Sequence, residues 1–282
     1  MISGALFLGR EIPIKKIYGK YIFRIFTAFV FWSFFYAIAE YMLKHSVVGA
    51  LAHFIEGHIH LWFLFMISML YAVQPILKRI ADSESLTKYF LVIAFFFTFL
   101  FPETVKIISF FSEKYSTFAV RVIDRFYFHF TLGFTAYFLL GHFLNTAEIS
   151  PKTERLIYTL GIISLIAGIC MSTTASIIAG KRGEDFYNSF TVNILFESMA
   201  VFVFFKKRMN FPSKIIRVLS HYSFGVFLVH SAVLGVLYRI GFNPLKFNPL
   251  ISVPAIALTA FTVSLVISAV LHKIPVLKKY VV

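Results

Sequence analysis

Charge is what this chain has least of. Asp, Glu, Lys and Arg make up 14% of its 282 residues, and 59% are hydrophobic. Soluble domains carry roughly 25% charged residues, and a soluble fold of this length could not hide so much apolar surface. Acidic side chains are the scarcer sign: 13 Asp and Glu stand against 27 Lys and Arg, a net charge of +14. Cysteine is nearly missing. A single Cys170, inside an apolar run, excludes a disulfide framework and zinc-finger spacing and reads as a small packing residue. No internal repeat, Pro-rich linker or low-complexity block divides the sequence, so one domain over 1–282 is expected. No basic stretch precedes the apolar residues Met1 to Leu8, so they do not read as a signal peptide. They are too short to span a membrane and read like the tail of a helix.

What is present is long apolar runs, with a mean hydropathy of +0.81. They are about 20 residues long and continuous rather than alternating, which favours membrane helices over a barrel. The expected fold is all-α, a polytopic membrane helix bundle with about eight spans. These lie near 22–43, 60–77, 88–108 (interrupted at Pro102-Glu103), 126–144, 156–178, 190–205, 221–240 and 250–271. A polar loop holding Lys44, His45, His53, Glu56 and His58 is expected between the first two. Basic residues in alternate loops divide about two to one, and the richer set includes Arg10, Lys15, Lys16, Lys20, Arg24 and Lys206 to Arg208. The positive-inside rule places that set, and both termini, in the cytoplasm, with the His53–His60 region facing outward. The expected location is the bacterial inner membrane. Topology and anionic lipid account for the positive charge, and no nucleic-acid partner is expected.

Against this apolar background the ionisable residues stand out. His58-Ile59-His60-Leu61-Trp62 opens the second span with two imidazoles that can exchange protons near neutral pH and an indole suited to the lipid–water boundary. His53, His58 and His60 do not match zincin or finger spacing, and no metal is expected. The bland reading makes His53 and His58 interfacial caps of the next helix. Glu40, Glu103 and Glu197 lie in or beside spans, where an ionisable group is costly and therefore a functional candidate; a protonated or arginine-paired carboxyl is the alternative. Arg125 and His129 share a helical face and could bind a sugar or an anion, unless Arg125 simply pairs with Asp124. The basic loop from Arg10 to Arg24 suits a phosphate-rich donor, although topology alone also explains it. His230, mid-span, is either a satisfied core histidine or a catalyst.

Several pieces then align with one family. Met1-Ile2-Ser3-Gly4-Ala5-Leu6, a basic loop and Phe31-Trp32-Ser33 resemble the second helix, first cytoplasmic loop and third helix of membrane acyltransferase family 3. His60-Leu61-Trp62-Phe63-Leu64 resembles that family's His-Leu-Trp-Phe/Tyr-Leu element. Leu139-Leu140-Gly141-His142-Phe143-Leu144 is similar to its Leu-Leu-Gly-Tyr/His-Tyr-Leu helix, and Ser223 to His230 to its Ser-x-Gly-Ile-Tyr-Leu-x-His stretch. The elements occur in family order over nearly the whole chain.

The resemblance implies an integral membrane O-acyltransferase with about ten helices. Such an enzyme takes acetyl from acetyl-CoA and places it on a sugar hydroxyl of a surface polysaccharide or its lipid-linked precursor. The family's first helix, with an arginine and a catalytic histidine, is not found here. The expectation is an N-terminal truncation, and this stretch alone can then be inactive even where its longer parent is an enzyme. Of the family's Arg-x-x-Arg pair only Arg24 is present. The expected assignments are His60, Glu197 and His230 as catalytic; Arg24 and Lys20 as donor-binding; and Trp62, His58 and Arg125 as substrate-binding. Two rivals stand beside this reading: a proton-coupled transporter using Glu197, Glu103 and His230, and a polysaccharide-export scaffold subunit.

Overall fold

The computed structural model describes residues 1–111, 125, 128–180, 183, 186–244 and 247–282. Among the described residues the regular structure is entirely helical. In chain order the helices are α1 (Ile2–Phe7), α2 (Phe23–Lys44), α3 (Val47–Glu56), α4 (Trp62–Ala72), α5 (Gln74–Ala81), α6 (Glu84–Ala94), α7 (Phe101–Phe111), α8 (Phe128–Thr146), α9 (Pro151–Ala179), α10 (Val192–Arg208), α11 (Lys214–Arg239), α12 (Pro249–Leu271) and α13 (Pro275–Tyr280). Among the described residues six stretches are long and apolar enough to cross a membrane: Ile14–Lys44, Val47–Ala72, Glu84–Ile108, Pro151–Ile178, Lys214–Arg239 and Pro249–Leu271. The expected spans at 126–144 and 190–205 are helices as well, α8 and α10. The protein is a multi-pass membrane protein built from helices.

The chain divides into two compact units, one of Met1–Ile12 and Val73–Phe211, the other of Pro13–Ala72 and Pro212–Val282. In the first unit α1 lies against α8 at backbone contact. A Cβ on Gly4 would strike the main chain of Phe138, and one on Gly141 the main chain of Met1, so two glycines set the approach of a six-residue helix. Phe99, Tyr137, Leu140, Ile157, Leu195 and Val203 form the core between α8, α9 and α10. The interruption expected at Pro102 does not occur. A π-helical stretch at Phe95–Leu100 precedes α7 and joins it to α6, and such a widened turn accommodates the amide proton and ring space that a proline takes from a helix. The basic run at the end of α10 has defined partners. Lys206 Nζ donates to the carbonyls of Leu144 (2.7 Å) and Ala147 (2.9 Å), Lys207 to that of Ile149 (2.6 Å), and Arg208 to Glu154 Oε1 (2.8 Å). Cations there satisfy carbonyls at the C-terminal end of α8.

In the second unit, α2 presents two faces. Ala28, Trp32, Ser33, Tyr36 and Ala37 are buried, while Phe26, Val30, Phe34 and Ile38 stand exposed at four-residue intervals, a surface suited to lipid. α11 and α12 pack closely. Ser252, Ile256, Ala260, Ser264 and Ser268 are the buried stripe of α12, and Gly225 of α11 sits where a Cβ would collide with the Ser268 side chain. Two expectations change here. The polar loop at 44–58 is mostly helix: Ser46 Oγ accepts the Gly49 N–H at 3.1 Å and caps α3. The single span expected at 60–77 ends at Ala72 and restarts at Gln74 with Pro75 in its first turn.

Candidate functional site

The second unit gathers four imidazoles. Gly57, at φ +77°, ends α3 in a backbone region that other residues rarely adopt. His58 then opens the 3-10 turn Ile59–Leu61, closed by the Leu61 N–H on the His58 carbonyl at 2.7 Å. That turn points His58 and His60 the same way, with their Nδ1 atoms 3.0 Å apart. From α11, the His230 ring comes to 5.0 Å from that of His60, and Ser231 Oγ to 3.3 Å from His58 Nδ1. From α3, His53 approaches His58 at 5.9 Å between ring centres and lies 3.8 Å from Glu40 Oε1. Glu40 is also held by Lys44 at 2.7 Å.

α2 supplies the wall of this cluster. Tyr36 stacks on His58 at 4.5 Å and stands edge-on to His60 at 5.3 Å. Its hydroxyl donates to the Leu228 carbonyl at 2.8 Å, which pins the ring. Sequence reasoning did not single out Tyr36. The signal was available in the four-residue ladder Arg24, Ala28, Trp32, Tyr36 and Glu40, one face of one helix. Among 37 Phe and 14 Tyr, one more aromatic residue does not stand out.

At the other end of the ladder Arg24 is already engaged. Its guanidinium donates to the main-chain oxygen of Val282 and lies 5.7 Å from the centre of the Phe224 ring. Thr27 Oγ1 donates to the Tyr280 carbonyl at 2.6 Å, and Trp32 Nε1 to that of Val281 at 3.4 Å. Arg24 and Tyr36 are three and a third turns apart on α2, about 18 Å along the axis. Lys20 lies in the π-helical lead-in Ile17–Ile22, exposed, 6.0 Å from the Tyr21 ring.

The remaining expected residues fall elsewhere. Trp62 begins α4 with its indole exposed. Glu197 lies on α10 in the first unit, near Asn193 and Tyr137, and has no ion pair among the described residues. Arg125 is exposed; Asp124 and the side chain of His129 lie outside the described residues. Glu103 accepts the Val192 N–H at 2.6 Å, the role of a helix cap, which occupies a carboxylate a proton relay would need. No group of three or more His, Cys, Asp or Glu suited to a metal ion is present among the described residues. In the first unit, Ser172, Thr173, Ser176, Gly183 and Tyr187 line a cleft of about 550 Å³.

The ordered motifs and the helical architecture are matched by a family comparison: the family model described as an acyltransferase domain, acyltransferase family 3, covers residues 1–272. The chain belongs to acyltransferase family 3. No curated protein and no solved structure matches it. As a membrane acyltransferase, it needs a group to take a proton from the acceptor nucleophile and a place for the donor. Its imidazole cluster has the chemistry for the first. The basic N-terminal end of α2 has the chemistry for a phosphate-bearing donor.

Proposed function

We propose that this membrane acyltransferase moves acetyl from acetyl-CoA to a sugar hydroxyl of a surface polysaccharide or its lipid-linked precursor. The observation that supports it most is the convergence of His58 and His60 onto Tyr36, with His230 from a separate segment 5.0 Å from His60, within a chain of this family. Half-buried imidazoles that can accept a proton suit hydroxyl acylation. In this reading His60 and His230 handle protons, and Glu197 is a separate catalytic candidate within the first unit. Arg24 and Lys20 hold the phosphates of the donor, with Arg24 released from the Val282 oxygen. His58 and Trp62 meet the acceptor, and Arg125 is the substrate-binding candidate of the first unit. The bundle sits in the bacterial inner membrane with the Arg24 end of α2 inside and the imidazole end outside. No metal takes part.

The test is acetyl labelling of envelope polysaccharide in cells fed radiolabelled acetate, with and without the gene. Label in ester linkage to the polymer should fall to background when the gene is deleted and return with the plasmid-borne gene. Equal labelling in both strains counts against the reading.

A further inference from the structure

Within the second unit, the segment after α13 lies across the N-terminal end of α2. Its amides are satisfied inside its own turn. The Val281 N–H donates to the Leu277 carbonyl at 2.8 Å, and the Val282 N–H to the same carbonyl at 3.0 Å, a common way to end a helix. The oxygens of residues 280, 281 and 282 are then met by side chains of α2. Thr27 Oγ1 donates to the Tyr280 carbonyl at 2.6 Å, Trp32 Nε1 to that of Val281 at 3.4 Å, and the Arg24 guanidinium to the main-chain oxygen of Val282.

The segment also has an apolar seat. Val281 and Val282 are buried. A Cβ on Gly225 of α11 would lie 3.5 Å from the Cβ of Val282, so the bare glycine leaves room for the valine. The Tyr280 ring stands edge-on to Phe23 at 6.3 Å. Arg24 alone would be an ordinary cation at a helix C-terminus. Thr27 and Trp32 add two uncharged donors one and two turns further along the same side of α2, and these fix the register of the whole segment.

The atoms it presents to Arg24 are of the kind a donor phosphate would present, oxygens that only accept. An arginine grips phosphate through N–H groups that sit side by side, and here one terminal nitrogen already serves Val282. A gripped phosphate and the Val282 oxygen therefore compete. The contest is uneven in a useful way. A hydrogen bond from guanidinium to phosphate is charge-assisted on both sides and stronger than one to a neutral carbonyl. The carbonyl holds the site when donor is scarce, and the phosphate takes it when donor is abundant.

We propose that Tyr280–Val282 is an autoinhibitory strap over the donor site, held on α2 by Thr27 and Trp32 and displaced from Arg24 by the donor's phosphates; this rests on the reading of Arg24 as their ligand. The apparent donor affinity is then the intrinsic one reduced by the fraction of molecules with the strap lifted. Anything that loosens the strap without touching Arg24 tightens donor binding.

Two measurements on the full chain in open membrane vesicles test this, with desulfo-CoA as the probe, since it carries the donor's phosphates and no thiol. In a Cys170→Ala background, Val282→Cys puts a lone cysteine in the buried seat. A water-soluble maleimide should label it slowly, and saturating desulfo-CoA should speed labelling roughly tenfold. Equilibrium binding then measures the competition. Thr27→Val and Trp32→Phe each delete one bond to the strap, and each should lower the Kd for desulfo-CoA roughly three- to tenfold. Removing residues 280–282 should lower it at least as far, but it also opens the apolar seat, so the two side-chain variants decide. Desulfo-CoA that binds without changing the labelling rate, or a Kd unchanged or raised in both Thr27→Val and Trp32→Phe, overturns the strap. Desulfo-CoA that binds neither wild type nor variants, or binds Arg24→Gln as tightly as wild type, overturns the donor reading beneath it.

Discussion

Glu103 is buried in α7 and accepts the Val192 N–H at 2.6 Å, at the first residue of α10. A helix N-terminus leaves amide protons without intrahelical partners, and a carboxylate there also meets the positive end of the helix dipole. An apolar surrounding makes the same contact stronger and its loss costlier. Glu103→Gln keeps an oxygen at the same place and should leave the fold intact. Glu103→Ala leaves the Val192 amide orphaned and should cost about 1–3 kcal/mol. Thermal unfolding in detergent, followed by tryptophan fluorescence, separates the two. A Glu103→Ala protein as stable as wild type would show that the amide finds another partner, and the capping role would fall. The sequence placed Glu103 correctly as a carboxylate inside an apolar run. It could not show the partner, because Val192 is far away in the chain and backbone amides leave no mark in a sequence.

Helices α11 and α12 owe their close approach to what they lack. Gly225 faces Ser268, and the buried stripe of α12 is Ser, Ile, Ala, Ser, Ser. Apolar burial gives no preference for helix over lipid, so contact depends on packing and small side chains. Gly225→Val should push the helices apart at a cost of about 1–3 kcal/mol, while Gly235→Ala on the same helix, with open space at its Cα, should be neutral or slightly stabilising. Chemical denaturation in mixed micelles reads both; equal stability of the two variants would mean that α12 does not pack on α11 at this point. The same scale shows what was legible. The long apolar helices were, because their length and hydropathy have one solution in lipid. α3 was not, because His53 and Glu56 made the segment look like a loop. Its cap was in plain view, since Ser46 before Val47-Val48 is a helix-start signal, and Ser46→Ala should cost about 1 kcal/mol. The break at Val73 was hidden inside a continuous apolar run. Within the site, His58, His60 and His230 could be named from the sequence, since imidazoles are rare here. Tyr36 was passed over although its four-residue ladder on α2 was in view, and Ser231 could not be named, because only the fold brings α11 to the turn at 58–61.

For the molecule as a whole, the proposed direction of transfer depends on which end of α2 faces the cytoplasm. The chain offers a clean reporter, because Cys170 is its single cysteine. Cys170 is exposed on α9, among the exposed Ile162, Ile163, Ile166 and Ile169, so in a membrane its thiol faces lipid. A charged reagent does not enter hydrocarbon. A membrane-impermeant maleimide should therefore leave Cys170 unlabelled in spheroplasts and in open vesicles, and label it only after denaturation. Replacing it, Cys170→Ala, gives a blank background. Lys44→Cys, at the C-terminal end of α2, should then label in intact spheroplasts. Lys88→Cys, near the start of α6, should label only once the membrane is opened. Both side chains are largely exposed, 69% and 59%, so access to reagent and not burial decides the result. The reverse pattern would turn the bundle over and put the His58 cluster on the cytoplasmic side. An acetyl group delivered by a cytoplasmic thioester would then have no need of the roughly 18 Å between Arg24 and Tyr36, and the acceptor would have to be sought inside the cell.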